Sequence, residues 1–212
     1  MSHKSISIGR AIAVVTAFVA WTALALQLVL TTQKMTGDGA SLAQAVWRFF
    51  GFFTILVNCG VAVVAAALGV RPASQLASPT ARLAAVTAIV IVGLIYSVAL
   101  RSIWQPTGLQ AVADHALHDA TPVLFLLTWV LAAHGQLQWR SAVWAVIPAF
   151  AYFIYALIRG AADGWYAYWF LDPSALPAAQ MAVNVSMLLL AFLTAAFAFV
   201  GLDKWLARRN IR

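Results

Sequence analysis

The sequence predicts an all-α membrane protein that folds as a bundle of six transmembrane helices, and three observations support this class. Of the 212 residues, 64% are hydrophobic and 9% are charged, and the mean hydropathy is +0.90. A soluble domain has about a quarter charged residues. Apolar runs alternate with short segments that carry most of the basic residues. We therefore expect residues 1–212 to form a single integral membrane domain.

Each predicted span is an apolar run close to the roughly 20 residues that cross a bilayer as an α-helix. The runs are Ala11–Thr32, Val46–Val70, Leu83–Leu100, Ala116–Ala133, Val143–Ile158 and Ala178–Leu202. The first contains an Ala-Leu-Ala sequence that resembles a signal-peptide cleavage site. It stays apolar for longer than the roughly 7–15 residues of a signal-peptide core, so we expect an uncleaved span.

The basic residues predict the orientation. Six spans place both termini on one side, and nine of the 13 Lys and Arg residues fall on that side. Because basic residues concentrate in cytoplasmic loops, the termini should be cytoplasmic. The basic residues are scattered over several loops, so we expect no nucleic-acid partner. The single Cys59 excludes an intramolecular disulfide and a multi-thiolate metal site.

Two polar spots interrupt the apolar runs, and a polar group in a membrane helix is costly unless it is paired or used. The first is Thr54 and, one turn further, Asn58. In a helix that starts at Val46, Thr54 should lie about 12 Å from the outer end. The second spot opens the fourth run, where His115, His118 and Asp119 share one helix face. The predicted topology places both spots in the outer half of the membrane.

Each spot also has a structural interpretation. A membrane-helix threonine often bonds to the carbonyl four residues earlier, and an asparagine often joins two helices. The simplest interpretation of Arg48 and Arg101 is that their side chains extend to the membrane surface and anchor the helix ends there. A metal bound by His115 and His118 needs a third ligand from elsewhere, and a bis-histidine haem needs ligands on two helices, so we expect neither a metal nor another cofactor. A threonine–histidine dyad needs the hydroxyl and imidazole within about 3 Å.

Three motifs resemble the androgen-induced transmembrane hydrolase family, most closely its bacterial six-span branch. They are Trp47-Arg48-Phe49-Phe50 leading into Phe53-Thr54, then Asp114-His115-Ala116-Leu117-His118 followed by Pro122, and the loop ending Tyr168-Trp169-Phe170-Leu171-Asp172. Animal members are multipass threonine hydrolases that cleave fatty acid esters of hydroxy fatty acids. The resemblance implies an integral protein of the bacterial inner membrane with its active site toward the outer half.

Carried over residue by residue, the resemblance makes Thr54 the nucleophile and His118 its general base. The predicted function is cleavage of lipid fatty acyl esters through an acyl-enzyme. Four residues are supporting candidates, either to orient His118 or to stabilise the oxyanion: Asn58, His115, Asp119 and Asp172. We expect three aromatic residues of the loop after the fifth span to contact the substrate, namely Tyr166, Tyr168 and Trp169.

Two other functions fit the same residues. A lipid-binding or transport protein could use the outer polar cluster to recognise a headgroup. The paired Gly or Pro breaks common in transporter helices are missing from the sequence, because Gly60 and Gly93 do not form such a pair. A metal- or quinone-linked redox protein would rely on His115 and His118. With one Cys and four His residues in the chain, this third class has little support.

Overall fold

A computed structural model describes the backbone of residues 3–209 and the side chains of residues 8–209. The chain is about 80% helical, and no strand occurs in the described part. The helices are α1 (His3–Gly37), α2 (Leu42–Phe49), α3 (Phe53–Val70), α4 (Pro79–Ile95), α5 (Gly108–His115), α6 (Thr121–Val130), α7 (Ser141–Asp163) and α8 (Ala178–Arg209). A π-helical turn at Tyr96–Leu100 continues α4, and another at Ala116–Ala120 joins α5 to α6. The all-α class is confirmed; the two ends of the predicted domain lie outside the described residues.

Five helical segments are long and apolar enough to cross a membrane, which supports an integral membrane protein. They are Ile8–Gly37, Phe53–Val70, Pro79–Leu100, Ser141–Asp163 and Ala178–Arg209. The predicted fourth span corresponds to α5, its π turn and α6, which together are helical over residues 108–130. This segment is not among the five. Its first half carries two aspartates and two histidines, which make it more polar than the others.

The second predicted span is wrong as a single helix. α2 ends at Phe49 and α3 begins at Phe53, with a non-helical break between them. The carbonyls freed by the break are bonded by α7, because the Tyr155 hydroxyl donates to Phe50 O at 3.1 Å and the Tyr152 hydroxyl donates to Gly51 O at 3.0 Å. Thr54 therefore lies in the first turn of a new helix, not two turns inside a helix that starts at Val46.

Two further boundaries differ from the prediction. The fourth helical segment starts at Gly108, so His115 ends α5 and does not lie in a first turn. α7 continues to Asp163 and ends where Gly164 adopts a left-handed φ of 72°. Arg159, predicted to start a loop, is instead a buried residue inside α7. Apolar periodicity stops before these residues because their side chains are polar, although the backbone stays helical.

The helices pack side by side between two ends of the bundle. The break end carries the α2–α3 break, the start of α3 and both π turns. The terminal end carries the described start of α1 and the end of α8, since Gly9 and Ala207 line one cavity there. Between the ends, α1 packs along α3 and α6, and α4 packs against α7 and α8. The core is apolar and includes Val61, Val86, Phe125 and Val200, each fully buried.

Candidate active site

The first turn of α3 presents Thr54 at the break end. Phe52 precedes the helix and offers no side-chain cap. The cap comes instead from the loop after α7, because the Phe53 N–H donates to the Tyr168 hydroxyl at 3.2 Å. Burial raises the pKa of the Tyr168 phenol, while hydrogen bonds with Thr54 and the Phe53 backbone oppose the rise. Tyr168 is therefore a neutral hydroxyl at physiological pH, beside the Thr54 side chain.

Asn58 connects the turn that holds Thr54 to the segment that holds His118. Asn58 is fully buried. Its Nδ2 donates to Thr54 O at 2.8 Å and to Leu117 O at 3.3 Å. Its Oδ1 is buried without a hydrogen-bond partner. Since the amide hydrogens are already used by two carbonyls, the structure assigns Asn58 a positioning contact between the two helical segments.

His118 is held by the helix turn before it. Its Nδ1 lies 3.0 Å from Asp114 O and 3.4 Å from Asp114 Oδ1. The Tyr96 hydroxyl donates to the other oxygen of the same carboxylate. The Tyr96 and His118 rings are stacked, with centroids 4.0 Å apart and planes at 15°. The imidazole is thus fixed by a carboxylate on one edge and by a ring on one face.

The second ring nitrogen of His118 is free. Nε2 makes no hydrogen bond within the described residues, and it is not among the fully buried side-chain atoms. An imidazole whose Nδ1 faces a carboxylate keeps its proton on that side, which leaves Nε2 as an acceptor. This is the arrangement that a general base requires.

Asp119 belongs to a different cluster. Its carboxylate pairs with Arg101 through one oxygen and lies 2.7 Å from His115 Nδ1 through the other. The three side chains are between 38% and 61% exposed, so their attraction is weakened by solvent. The carboxylate next to His118 is Asp114, not the predicted Asp119. Both contacts join residues four apart, so helical spacing pairs His118 with Asp114 and His115 with Asp119.

The aromatic loop after α7 sends only one of its predicted residues to Thr54. Trp169 is 67% exposed. Tyr166 packs over Gly160, where an added Cβ would lie 2.1 Å from the ring. Asp172 accepts bonds from the Ser174 N–H at 2.8 Å and the Ser174 hydroxyl at 2.7 Å, and so stabilises its own turn without contacting His118. Of the three predicted aromatic residues, Tyr168 is the one hydrogen-bonded to the first turn of α3 in the described part of the chain.

A buried arginine holds the break that exposes this turn. Arg159 is 3% exposed. Its Nη1 donates to the Tyr155 hydroxyl at 2.8 Å, and its Nη2 donates to Trp47 O. Its guanidinium also lies 4.1 Å from the centre of the Trp47 ring. The Trp47 Nε1–H donates to Asp163 Oδ2 at 2.6 Å. This cluster fixes the end of α2 against α7, and so fixes where α3 begins.

The structure brings the predicted pair to the same end but does not join them directly. In the described part of the chain no hydrogen bond links the Thr54 hydroxyl to the His118 ring; Asn58 spans the gap through backbone carbonyls. Sequence reasoning missed Tyr96 and Asp114 as partners of His118. Tyr96 lies near the end of the apolar run Leu83–Leu100, where it could not be told from an interfacial aromatic residue. Among the described residues, no group of three or more His, Cys, Asp or Glu is arranged to hold a metal.

Comparison of the chain with protein-family models, with curated proteins and with solved structures finds no match in any of the three. The family resemblance therefore remains a hypothesis that stands on the motifs around Thr54, His118 and Tyr168 alone.

Proposed function

We propose that the protein is a membrane-embedded threonine hydrolase that cleaves lipid fatty acyl esters. Thr54 is the nucleophile and His118 is its general base. One observation carries the proposal: His118 is oriented through Nδ1 by the buried Asp114, while its Nε2 is unpaired and accessible. A purely structural histidine in a bundle would more often satisfy both nitrogens.

The proposed reaction has two halves. The Thr54 hydroxyl attacks the ester carbonyl as His118 Nε2 takes its proton, and the protonated ring then gives that proton to the departing alcohol. Water, deprotonated by the same nitrogen, releases the fatty acid and restores Thr54. Catalytic hydrogen bonds are often long without substrate and tighten in the complex. The Asn58 bridge keeps the two segments in register for that step.

The oxyanion is best stabilised at the start of α3. First-turn amides have no carbonyl partner within their own helix, and the positive end of the helix dipole lies there. The Tyr168 hydroxyl accepts the Phe53 N–H, and its own O–H is a further donor beside Thr54. Asn58 is less suitable because its amide hydrogens already bond two carbonyls. An oxyanion donor of this kind contributes about 3–4 kcal/mol in other enzymes.

We also propose six spans with both termini in the cytoplasm. Residues 108–130 supply the additional span, since they are continuously helical and pack against α1 and α4. Gly9 and Ala207 border the same cavity, as an even number of spans requires. With the basic residues counted by side, Thr54 and His118 then face the outer half of the bacterial inner membrane.

The proposal is tested with a fluorophosphonate probe and a fatty acyl p-nitrophenyl ester on detergent-solubilised protein. We expect labelling of the parent and its loss in Thr54→Ala and His118→Ala. Thr194→Ala is the matched control, because Thr194 lies exposed on α8 and bonds only its own helix at Leu190 O. Labelling that persists without Thr54 would contradict the proposal. If the parent binds the ester with Thr54-dependent affinity but releases no product, the lipid-binding alternative is favoured.

A further inference from the structure

A second polar site lies at the terminal end, away from Thr54 and His118. A cavity of about 1010 Å³ is bordered by the start of α1, the loop before α4, the first turn of α4 and the residues after α6. Its charged and titratable lining residues are Arg10, Arg82 and His134. None of its described lining residues is acidic. The charged groups of the wall are therefore cations, and the rest of the lining is mostly apolar with a few neutral polar side chains.

Arg82 is the central feature of this cavity. It is 7% exposed, in the first turn of α4. Its Nη1 donates to Ala133 O at 3.1 Å. Its Nε is buried with no hydrogen-bond partner. Its Nη2 also makes no hydrogen bond in the described residues but is not fully buried, so it faces the cavity. A buried guanidinium with unused donors is costly unless a partner supplies acceptors.

The nearest carboxylate at this end is already occupied. Asp203 Oδ1 lies 3.0 Å from His134 Nδ1. Its Oδ2 accepts the N–H groups of Gly135 at 3.0 Å and Leu137 at 3.3 Å. No ion pair joins Asp203 to Arg82 among the described residues. The positive charge of Arg82 is therefore uncompensated by any carboxylate within ion-pair distance.

Two further features make the cavity suited to an anion. Arg10 borders it and is fixed by donating to Gly69 O through Nε at 3.2 Å and Nη2 at 3.0 Å. The N-terminus of α4 also points into it, with Ser78 as the cap and Pro79 as the first residue. Pro79 has no N–H, and the Ala81 and Arg82 N–H groups already bond Ser78, so this helix end attracts an anion mainly through its dipole. Arg82 lies in that same first turn, so the charge and the dipole reinforce each other.

We propose that this cavity binds the phosphate group of an anionic ligand, with Arg82 as the main contact and Arg10 at the rim. The accessible Nη2 of the Arg82 guanidinium can donate to a phosphate oxygen, and its fixed positive charge attracts the anion. The same phosphate chemistry could belong to a phospholipid headgroup at the membrane surface or to a soluble phosphate ester. The proposal does not depend on the hydrolase activity at the break end.

Binding is measured with purified full-length protein in a neutral detergent, by thermal unfolding and native mass spectrometry. The probes are inorganic phosphate, glycerol phosphate, phosphatidylglycerol and phosphatidylcholine. We expect Arg82→Gln to weaken binding at least about tenfold, as loss of a charged hydrogen bond does. Arg71→Gln is the control, because Arg71 is exposed at the same end and does not line the cavity. Its affinity should stay within about twofold of the parent.

The probes separate the two sources. Binding of phosphatidylglycerol alone identifies a lipid headgroup, and binding of the soluble phosphates identifies a free ligand; both support the site. If Arg82→Gln does not fold, Arg10→Gln replaces it. Because Arg10 is exposed, its substitution should weaken binding about threefold without unfolding the bundle. No binding of any probe, or equal losses in the Arg71 and cavity variants, would overturn the proposal.

Discussion

The ring of Tyr96 stacks on the ring of His118, with centroids 4.0 Å apart, and its hydroxyl donates to Asp114, the carboxylate that also faces His118 Nδ1. One tyrosine thus contacts both the imidazole and the group that orients it. Close approach of α4 to the second π turn permits the stack, since a Cβ at Gly93 would lie 3.2 Å from His118 O. The His118 ring is held on two sides before any substrate binds.

Two substitutions of Tyr96 distinguish the effect of ring stacking from the effect of the hydrogen bond to Asp114. Tyr96→Phe keeps the ring and removes a hydrogen bond to a charged group, worth about 1.5–3 kcal/mol. We expect ester hydrolysis to fall roughly tenfold. Tyr96→Leu removes both contacts and should be slower still. The measurement is hydrolysis rate in detergent with thermal unfolding alongside; equal rates for the parent and Tyr96→Phe would show that the Asp114 bond has no catalytic role.

The two aspartates near His118 should differ sharply. Asp114→Asn weakens the carboxylate contact with Nδ1, so we expect hydrolysis to fall about 100-fold, within the range of general-base effects. Asp119→Asn removes an exposed pair with Arg101 and His115 and should change the rate less than about threefold. The two variants are compared by their rates of ester hydrolysis and of labelling by the fluorophosphonate probe. A larger loss in Asp119→Asn than in Asp114→Asn would reverse our assignment of the orienting carboxylate.

Asn58 should stabilise the protein through the two hydrogen bonds that its side chain donates. Asn58→Asp keeps the shape but cannot donate to Thr54 O or Leu117 O, and it faces them with oxygen. Asn58→Leu removes the polar group, and interhelical hydrogen bonds in membranes average about 0.6 kcal/mol. We expect the aspartate variant to unfold at the lower temperature of the two, because a buried acceptor or charge opposite a carbonyl is costly. A more stable aspartate variant would mean that water or an ion reaches this position.

The α2–α3 break should tolerate no side chain at Gly51. A Cβ there would lie 2.5 Å from the Trp165 ring and 3.1 Å from the Arg159 guanidinium. Gly51→Ala should destabilise the protein by about 1–3 kcal/mol. Gly60→Ala, in the middle of α3 with nothing within 4 Å of the new Cβ, should instead stabilise it by about 0.5–1 kcal/mol. Thermal unfolding of both variants tests the contrast. Equal shifts in unfolding temperature would show that the residues around Gly51 move to make room for the added methyl group.

The sequence was sufficient for the all-α membrane class. Long apolar runs located the five helices that can span a membrane, because hydropathy is averaged over many residues. It was not sufficient for the α2–α3 break. The apolar run continues through Phe50, Gly51 and Phe52, and the clamp that holds them comes from Tyr152 and Tyr155, about 100 residues later.

The partners of His118 were hidden for a related reason. Asp119 was favoured by adjacency and Asp172 by its loop, whereas the contact came from Asp114 in the preceding turn. Arg159 was assigned to a loop because charge ends an apolar pattern. In the structure it is a buried cation that donates to Tyr155 and Trp47 and pairs with Asp163 at 3.7 Å. The contacts of His118 with Tyr96 and of Arg159 with Trp47 depend on which helices are neighbours, which a single sequence does not specify.

The two π turns also have an evolutionary consequence. Each contains one residue more than an α-helix would need, as if a single codon had been inserted. One turn starts with Tyr96 and the other contains His118, and the two rings are stacked. Loss of one extra residue would rotate the helical segment that follows it relative to the segment before it, so we expect the two turns to be gained or lost together. Homologues that keep the stack should carry both extra residues. A homologue that lacks one of them should lack the other as well.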